Sequence, residues 1–198
     1  GDNYKMNKAV FLDRDGTINK EVNYLSNSGD LKLYPDTLPA LQTFKSLGFL
    51  NIIITNQSGI ARGYFSEDDL NKIHTDLKKL LTDTKTGSAL IDDIFFSPYH
   101  PDGVIEKYKL DSEDRKPGTG MIRKAGIKFN INNGESYFIG DSFADMQCAE
   151  NAGLKKIMVK TGYGIKDHVK CVESGIIIDY LADDLYHASE YIKNSLTT

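Results

Sequence analysis

Asp13, Arg14, Asp15, Gly16 and Thr17 stand at the end of the apolar run Ala9-Val10-Phe11-Leu12. Two carboxylates two residues apart, where a short buried strand runs out into solvent, ask for a metal ion or a proton transfer. Similar strand ends follow: Thr55-Asn56-Gln57-Ser58-Gly59 after Leu50–Ile54, and Gly140-Asp141-Ser142 after Ser136–Ile139, with Asp145 one helical turn on. Any one aspartate after a strand is commonly a turn or a helix cap. Three strands delivering polar groups to one edge are harder to explain that way.

Carboxylates gathered at one edge raise each other's proton affinity unless a cation is present. Oxygen ligands without His or Cys favour magnesium, which keeps waters and binds through one or two carboxylates plus a substrate phosphate. Phosphoryl transfer needs an in-line nucleophile, neutralisation of the non-bridging oxygens and a proton for the leaving alkoxide. Asp13 is suited to be the nucleophile, with Asp15 placed to protonate the leaving oxygen and then deprotonate water. Gly16 lets the chain turn away sharply. The Thr55 hydroxyl and nearby amides can hold phosphoryl oxygens. Lys116, in Arg115-Lys116-Pro117, can supply a point charge, although spacing alone reads it as a solvated surface lysine.

The elements that must position these groups follow from periodicity. Leu38–Leu47 has helical apolar spacing and Gly48 follows as a stop. Ser66 with Asp69 forms a capping-box pattern that opens a helix running to about Leu81. Ile91–Phe96 reads as a third strand, Gly118–Ala125 as a helix, Ser136–Ile139 as a fourth strand and Asp141–Ala152 as its helix. Lys156–Val159 is a fifth strand, Ile176–Ile178 a sixth, and Leu181–Lys193 a closing helix. Continuously apolar strands alternating with helices imply an α/β fold, a doubly wound, Rossmann-like parallel sheet with helices on both faces. In such a sheet ligands sit beyond the carboxyl ends of the strands, where these polar groups lie.

The chain has 198 residues, 40% of them hydrophobic, which suits one domain over 1–198. Residues 1–6 read as a loose terminus or a cloning remnant. A net charge of -4 and a pI near 5.6 argue against a broad nucleic-acid footprint, yet leave small anionic substrates open. The two cysteines, Cys148 and Cys171, share no metal-ligand spacing, and no segment reads as a secretory signal or a membrane span. The expectation is a cytoplasmic monomer with reduced thiols and no membrane partner. Cys148, spaced with Ala144 and Ala152, reads as packing surface, and His74, His168 and His187 as surface or packing residues.

Across nearly its whole length the chain resembles the haloacid dehalogenase superfamily of aspartate-nucleophile phosphatases. The four motifs appear in order: Asp13-Arg14-Asp15-Gly16-Thr17, Thr55, Lys116, and Gly140-Asp141 with Asp145. Within it, Thr55-Asn56-Gln57-Ser58-Gly59-Ile60-Ala61-Arg62-Gly63 resembles the D-glycero-D-manno-heptose 1,7-bisphosphate 7-phosphatases, with histidinol phosphatases as close relatives. The resemblance implies an aspartyl-phosphate intermediate on Asp13, acid–base catalysis by Asp15, and phosphoryl stabilisation by Thr55 and Lys116. It implies magnesium held by the Asp13 side chain, the Asp15 main-chain carbonyl and Asp141. It further implies that Glu21, Val22, Asn23, Tyr24, Thr55, Asn56, Gln57 and Ser58 touch a small phosphorylated sugar, and that Arg115 recognises its sugar-phosphate end. Arg62 reads either as a further phosphate contact or as a solvated loop arginine. A chain of this length carries a minimal cap, formed by loops.

The chain departs from that family twice. Members often hold a structural zinc with a Cys-Pro-His-His start and a Cys-x-Cys end, whereas here Ser97-Pro98-Tyr99-His100 and Ser112-Glu113-Asp114 stand there. No structural zinc is expected; packing, with Tyr99 and Tyr108, or closure over substrate must order the loop. Ser142 stands where these phosphatases place a lysine beside the metal aspartate. The favoured expectation is a magnesium-dependent heptose bisphosphate phosphatase. Histidinol phosphate is the alternative substrate, a polynucleotide 3'-phosphate a more distant one. A phosphosugar-binding or phospho-accepting regulatory module is the non-enzyme alternative, which Asp15 disfavours because such a module has little need of an acid–base group.

Overall fold

In strand β1 (Lys8–Leu12), Val10 and Leu12 enter one apolar cluster and Ala9 and Phe11 another, so the strand is buried on both faces. The structure, a computed structural model, describes residues 5–197. The loose start expected for residues 1–6 therefore falls largely outside the described residues.

Beside β1 lie β2 (Phe49–Asn56) and β4 (Tyr137–Gly140). With β3 (Asp93–Ser97), β5 (Lys155–Val159) and β6 (Tyr180–Ala182) they form a six-stranded sheet in the order β3-β2-β1-β4-β5-β6. Every pairing is parallel. One face is covered by α1 (Thr37–Ser46), α2 (Glu67–Leu80) and α6 (Leu185–Leu196), through Leu41, Phe44, Leu77 and Ile192 among others. The other is covered by α3 (Gly120–Phe129) and α4 (Phe143–Ala152), through Met121, Ala125, Cys148 and Ala149. This is the doubly wound α/β arrangement expected from the sequence.

The chain leaves β1 outward through β2 to β3, then crosses back to β4. The strand order thus reverses between β1 and β4, and the crevice beyond their carboxyl ends is the expected ligand position. Leu12 pairs with Ile139 and Asp13 N–H donates to the Ile139 carbonyl at 3.1 Å, which sets the two strand ends level.

Two expectations at the far edge need correction. Ile176–Ile178 is not a strand; β6 is Tyr180–Ala182. The isoleucines instead close a helix absent from the sequence expectations, α5 (Gly164–Glu173). Gly175 turns at φ +74°, Ile176 N–H returns to the Cys171 carbonyl at 3.0 Å, and Ile176 and Ile178 pack against the cluster of Met146, Met158 and Cys171. A glycine stop followed by an apolar contact is a helix ending. Ile165, Val169 and Val172 are exposed, so α5 does not show its core-facing side as an apolar stripe. Because Leu181 is taken into β6, the closing helix starts at Leu185, capped by Asp184, which accepts from His187 N–H. Among the described residues no helix is long and apolar enough to cross a membrane.

Candidate active site

Asp13, Lys116, Asp141 and Asp145 meet beyond the ends of β1 and β4. One carboxylate oxygen each from Asp13, Asp141 and Asp145 lies within 4.8 Å of the others. Lys116, expected from spacing to be solvated, is 3% exposed, with Nζ 3.1 Å from Asp13 Oδ1, 2.6 Å from Asp145 Oδ1 and 3.0 Å from the Ile54 carbonyl. Asn56 secures that lysine's backbone, accepting Lys116 N–H at 2.9 Å and donating to its carbonyl at 3.1 Å. Burial works against the ammonium, but Asp13 and Asp145 outweigh it and hold its pKa above the ordinary lysine value.

The acids feel the opposite pressure. Burial, then the Asp145 charge, raises the pKa of Asp13, with Lys116 opposing; burial and Asp145 together push Asp141 up to about 7. Three carboxylates against one ammonium leave two negative charges. A divalent cation supplies that balance, so the residues present fit magnesium. Asp145 is the least available of the three as a ligand. Its Oδ1 is taken by Lys116, and its Oδ2 accepts Ser142 N–H at 3.2 Å within the capping box of α4. Sequence analysis set Asp145 beside the metal aspartate without a role; in the structure it holds the lysine, and the box Ser142-x-x-Asp145 was the visible signal.

Two glycines make room for Asp141. A Cβ on Gly16 (φ +84°) or on Gly162 (φ +55°) would fall 2.1 Å from Asp141 Oδ2. Tyr163 N–H donates to that same oxygen at 3.0 Å, and Thr161 Oγ1 donates to the Gly16 carbonyl at 2.7 Å. The segment Thr161–Tyr163 is therefore part of the site. Nothing in its spacing announces it, because its hold on Asp141 comes from the Tyr163 amide and the missing side chain of Gly162.

Asp15 sits apart from the three-carboxylate group. Its Oδ1 accepts from Arg14 Nε at 3.0 Å and Asn19 Nδ2 at 2.9 Å, and its Oδ2 from Arg14 Nη2 at 3.0 Å and Gln57 Nε2 at 3.2 Å. Gln57 Nε2 also donates to Thr55 Oγ1 at 2.8 Å. The amide nitrogen can only donate, so the Thr55 hydroxyl must send its own proton elsewhere.

A cavity of about 280 Å³ opens over these groups. Asp13, Asp15, Lys116 and Asp141 line it, as do Glu21, Val22, Asn23, Tyr24, Asn56, Gln57 and Ser58, all named from the sequence; Gly59, Ser142 and Tyr163 complete the wall. Glu21 is pushed up to about 7, by burial first and then by the Asp15 charge. Thr55, Arg62 and Arg115 are not in the lining. Thr55 is buried behind the wall at 1% exposure. Arg62 Nη2 lies 3.3 Å from His100 Nε2, and its guanidinium carbon 6.0 Å from the centre of the Tyr24 ring, which meets Tyr64 edge-on. Arg62 Nε and Arg115 Nη1 are buried without a hydrogen-bond partner, and burial with the nearby Arg62 charge lowers the pKa of Arg115.

The loop expected to lack zinc is tied by packing and backbone hydrogen bonds. Tyr99 and Tyr108 rings lie 6.3 Å apart, Phe96 and Tyr108 pack on Ile60, Phe65 and Leu70, and Val104 and Ile105 N–H both donate to the Ala61 carbonyl.

A parallel sheet whose central strand ends in Asp-x-Asp, facing a buried lysine and a second aspartate pair, defines a phosphatase of the HAD-like hydrolases. Residues 114–188 match the family described as HAD-hydrolase-like. The chain is 42% identical over 157 residues to the D-glycero-alpha-D-manno-heptose-1,7-bisphosphate 7-phosphatase of Photorhabdus laumondii, covering 79% of this chain and 84% of that one. It is 40% identical over 146 residues to the D-glycero-beta-D-manno-heptose-1,7-bisphosphate 7-phosphatase of Rhodopseudomonas palustris, covering 74% and 79%. The solved D,D-heptose 1,7-bisphosphate phosphatase of B. bronchiseptica, complexed with magnesium and phosphate, superposes with a TM-score of 0.80 at 28% identity, over 95% of this chain and 99% of that one. The chain belongs to the family of D-glycero-D-manno-heptose-1,7-bisphosphate 7-phosphatases.

Proposed function

We propose that this protein removes the 7-phosphate from D-glycero-D-manno-heptose 1,7-bisphosphate in a magnesium-dependent reaction. The observation that carries the chemistry is the 3.1 Å approach of Lys116 to Asp13 inside a three-carboxylate group. The Asp13 and Asp141 carboxylates, with the Asp15 main-chain carbonyl, are the proposed magnesium ligands. Bound there, the ion neutralises phosphoryl oxygens.

The Asp13 carboxylate attacks phosphorus, forming its own P–O bond as the bond to the sugar oxygen breaks. Asp15 gives that leaving oxygen a proton. The resulting Asp15 carboxylate takes a proton from water, which attacks the aspartyl phosphate, releases inorganic phosphate and restores Asp13. Lys116 offsets charge on the phosphoryl group, and the Thr55 hydroxyl, accepting from Gln57, is left its proton to donate. Glu21, Val22, Asn23, Tyr24, Asn56 and Ser58 form the wall against which the sugar is held. Arg62 and Arg115, each with a buried nitrogen lacking a partner, are the proposed contacts of the second phosphate.

The substrate is a small phosphorylated sugar rather than nucleic acid, in keeping with the net charge of -4. The reading extends to a monomer in the cytoplasm, where the free, buried Cys148 and Cys171 stay reduced; a dimer found by light scattering at assay concentration would count against the monomer.

Rates on both anomers of the heptose bisphosphate, on sugar monophosphates and on histidinol phosphate test the substrate. The bisphosphate is expected to have the highest kcat/KM, and a large preference for histidinol phosphate would overturn the assignment. Asp13→Asn is expected to abolish turnover with the fold intact. Unchanged hydrolysis in that variant would remove Asp13 as nucleophile.

A further inference from the structure

His74 lies on α2, 6% exposed, where spacing alone reads it as a surface or packing residue. Its ring does meet Phe96, at 6.0 Å between centroids. Its Nε2, however, lies 3.0 Å from Arg14 Nη1. Arg14 is wholly buried, and its two remaining nitrogens grip the neighbouring Asp15, Nε on Oδ1 and Nη2 on Oδ2, each at 3.0 Å. One planar group is thus held along one edge by the carboxylate and at the other end by the imidazole. Arginine has donors only, so His74 Nε2 must accept and the ring proton must sit on Nδ1. Burial first, then the Arg14 and Lys78 charges, lowers the ring's pKa to about 3, which keeps it neutral and able to accept.

We propose that His74 is a positioning residue for the acid–base step, fixing through Arg14 the orientation of the Asp15 carboxylate. A guanidinium is free to swing about its side-chain torsions, and a two-point grip on a carboxylate does not by itself fix where the pair points. The third contact, from a helix on the opposite side, anchors the plane. Asn19 and Gln57 then hold Asp15 from its other side at 2.9 and 3.2 Å. The inference rests on the reading of Asp15 as the group that protonates the leaving oxygen.

A sugar alkoxide needs that proton to leave, whereas p-nitrophenolate does not. The quantity to compare is therefore kcat/KM, which covers the steps through departure of the leaving group, on the heptose bisphosphate and on p-nitrophenyl phosphate. His74→Phe keeps a ring against Phe96 and removes the acceptor; His74→Gln restores an acceptor at about the reach of Nε2. His74→Phe is expected to lower kcat/KM on the sugar substrate about tenfold more than on p-nitrophenyl phosphate, in line with losing one buried hydrogen bond to a charged group. His74→Gln is expected to recover most of that difference. Should His74→Phe fold poorly by thermal melting, His74→Leu is measured in its place. Equal losses on the two substrates, or no recovery with glutamine, would make His74 a packing residue and overturn the inference. Asp15→Asn, run alongside, separates the two levels: if that variant shows no leaving-group dependence, the acid–base reading itself fails, and if it does while His74→Phe does not, only the inference fails.

Discussion

Lys116 holds its charge in a place from which water is nearly excluded, and only because Asp13 and Asp145 sit 3.1 and 2.6 Å away. Removing one partner of a buried ion pair leaves the other uncompensated, at a cost of about 3–5 kcal/mol. Lys116→Met is therefore expected to lose activity and also to lower unfolding free energy by about that amount, read from urea denaturation of the metal-free protein. A variant that loses activity at unchanged stability would mean the lysine is less deeply committed to the two aspartates. At this scale Asp13, Asp15 and Asp141 were legible from residue type and position after a strand. Lys116 was named as a candidate point charge, but spacing carries no information about burial and favoured a solvated lysine, so the resemblance had to decide for it. Gln57 was expected against the sugar; it does line the cavity, but its amide nitrogen is committed to Thr55 and Asp15.

The connections after strands do the positioning, and they are where sequence reading ran short. The largely apolar runs of β1, β2 and β4, with Asn51 a buried exception in β2, are visible because both faces of each strand are buried. The connection from β5 to α5 is silent by the same logic: it works through Gly162 and the Tyr163 amide, which have no apolar period. Gly162→Ala would set a Cβ 2.1 Å from Asp141 Oδ2 in a left-handed conformation that disfavours side chains. It is expected to weaken magnesium binding at least tenfold, read by the metal concentration that gives half-maximal rate, because Asp141 must move. An unchanged metal requirement would show that Asp141 tolerates the displacement. The connection after β2 and the long loop before Lys116 bring Arg62 and Arg115 together. Arg115→Ala is expected to lower kcat/KM on the bisphosphate more than on a heptose 7-phosphate, and equal losses would remove Arg115 from the recognition of the second phosphate.

For the molecule as a whole, the charge gathered at the β1–β4 crevice links stability, protons and metal. In the folded protein Asp141 titrates near 7, against 3.8 for a free aspartate, raised by burial and then by Asp145; Asp13 is raised in the same direction. A carboxyl group whose folded pKa lies above its unfolded one binds a proton more readily when folded. Its contribution to stability is therefore fully present below the unfolded pKa and is lost as pH rises through the folded value. Without divalent metal, Asp141 should cost the protein stability between about pH 4 and pH 7, and Asp13 acts in the same direction. Magnesium, proposed to bind the ionised forms of both, would have to displace protons at low pH and would meet less competition from Asp141 above about pH 7. Its stabilisation, RT ln(1 + [L]/Kd), should grow through the same window and then level off. Adding magnesium at a fixed concentration should shift Tm more at about pH 8 than at about pH 5. A metal-induced shift equal at the two pH values would mean that the ion does not bind at these two carboxylates.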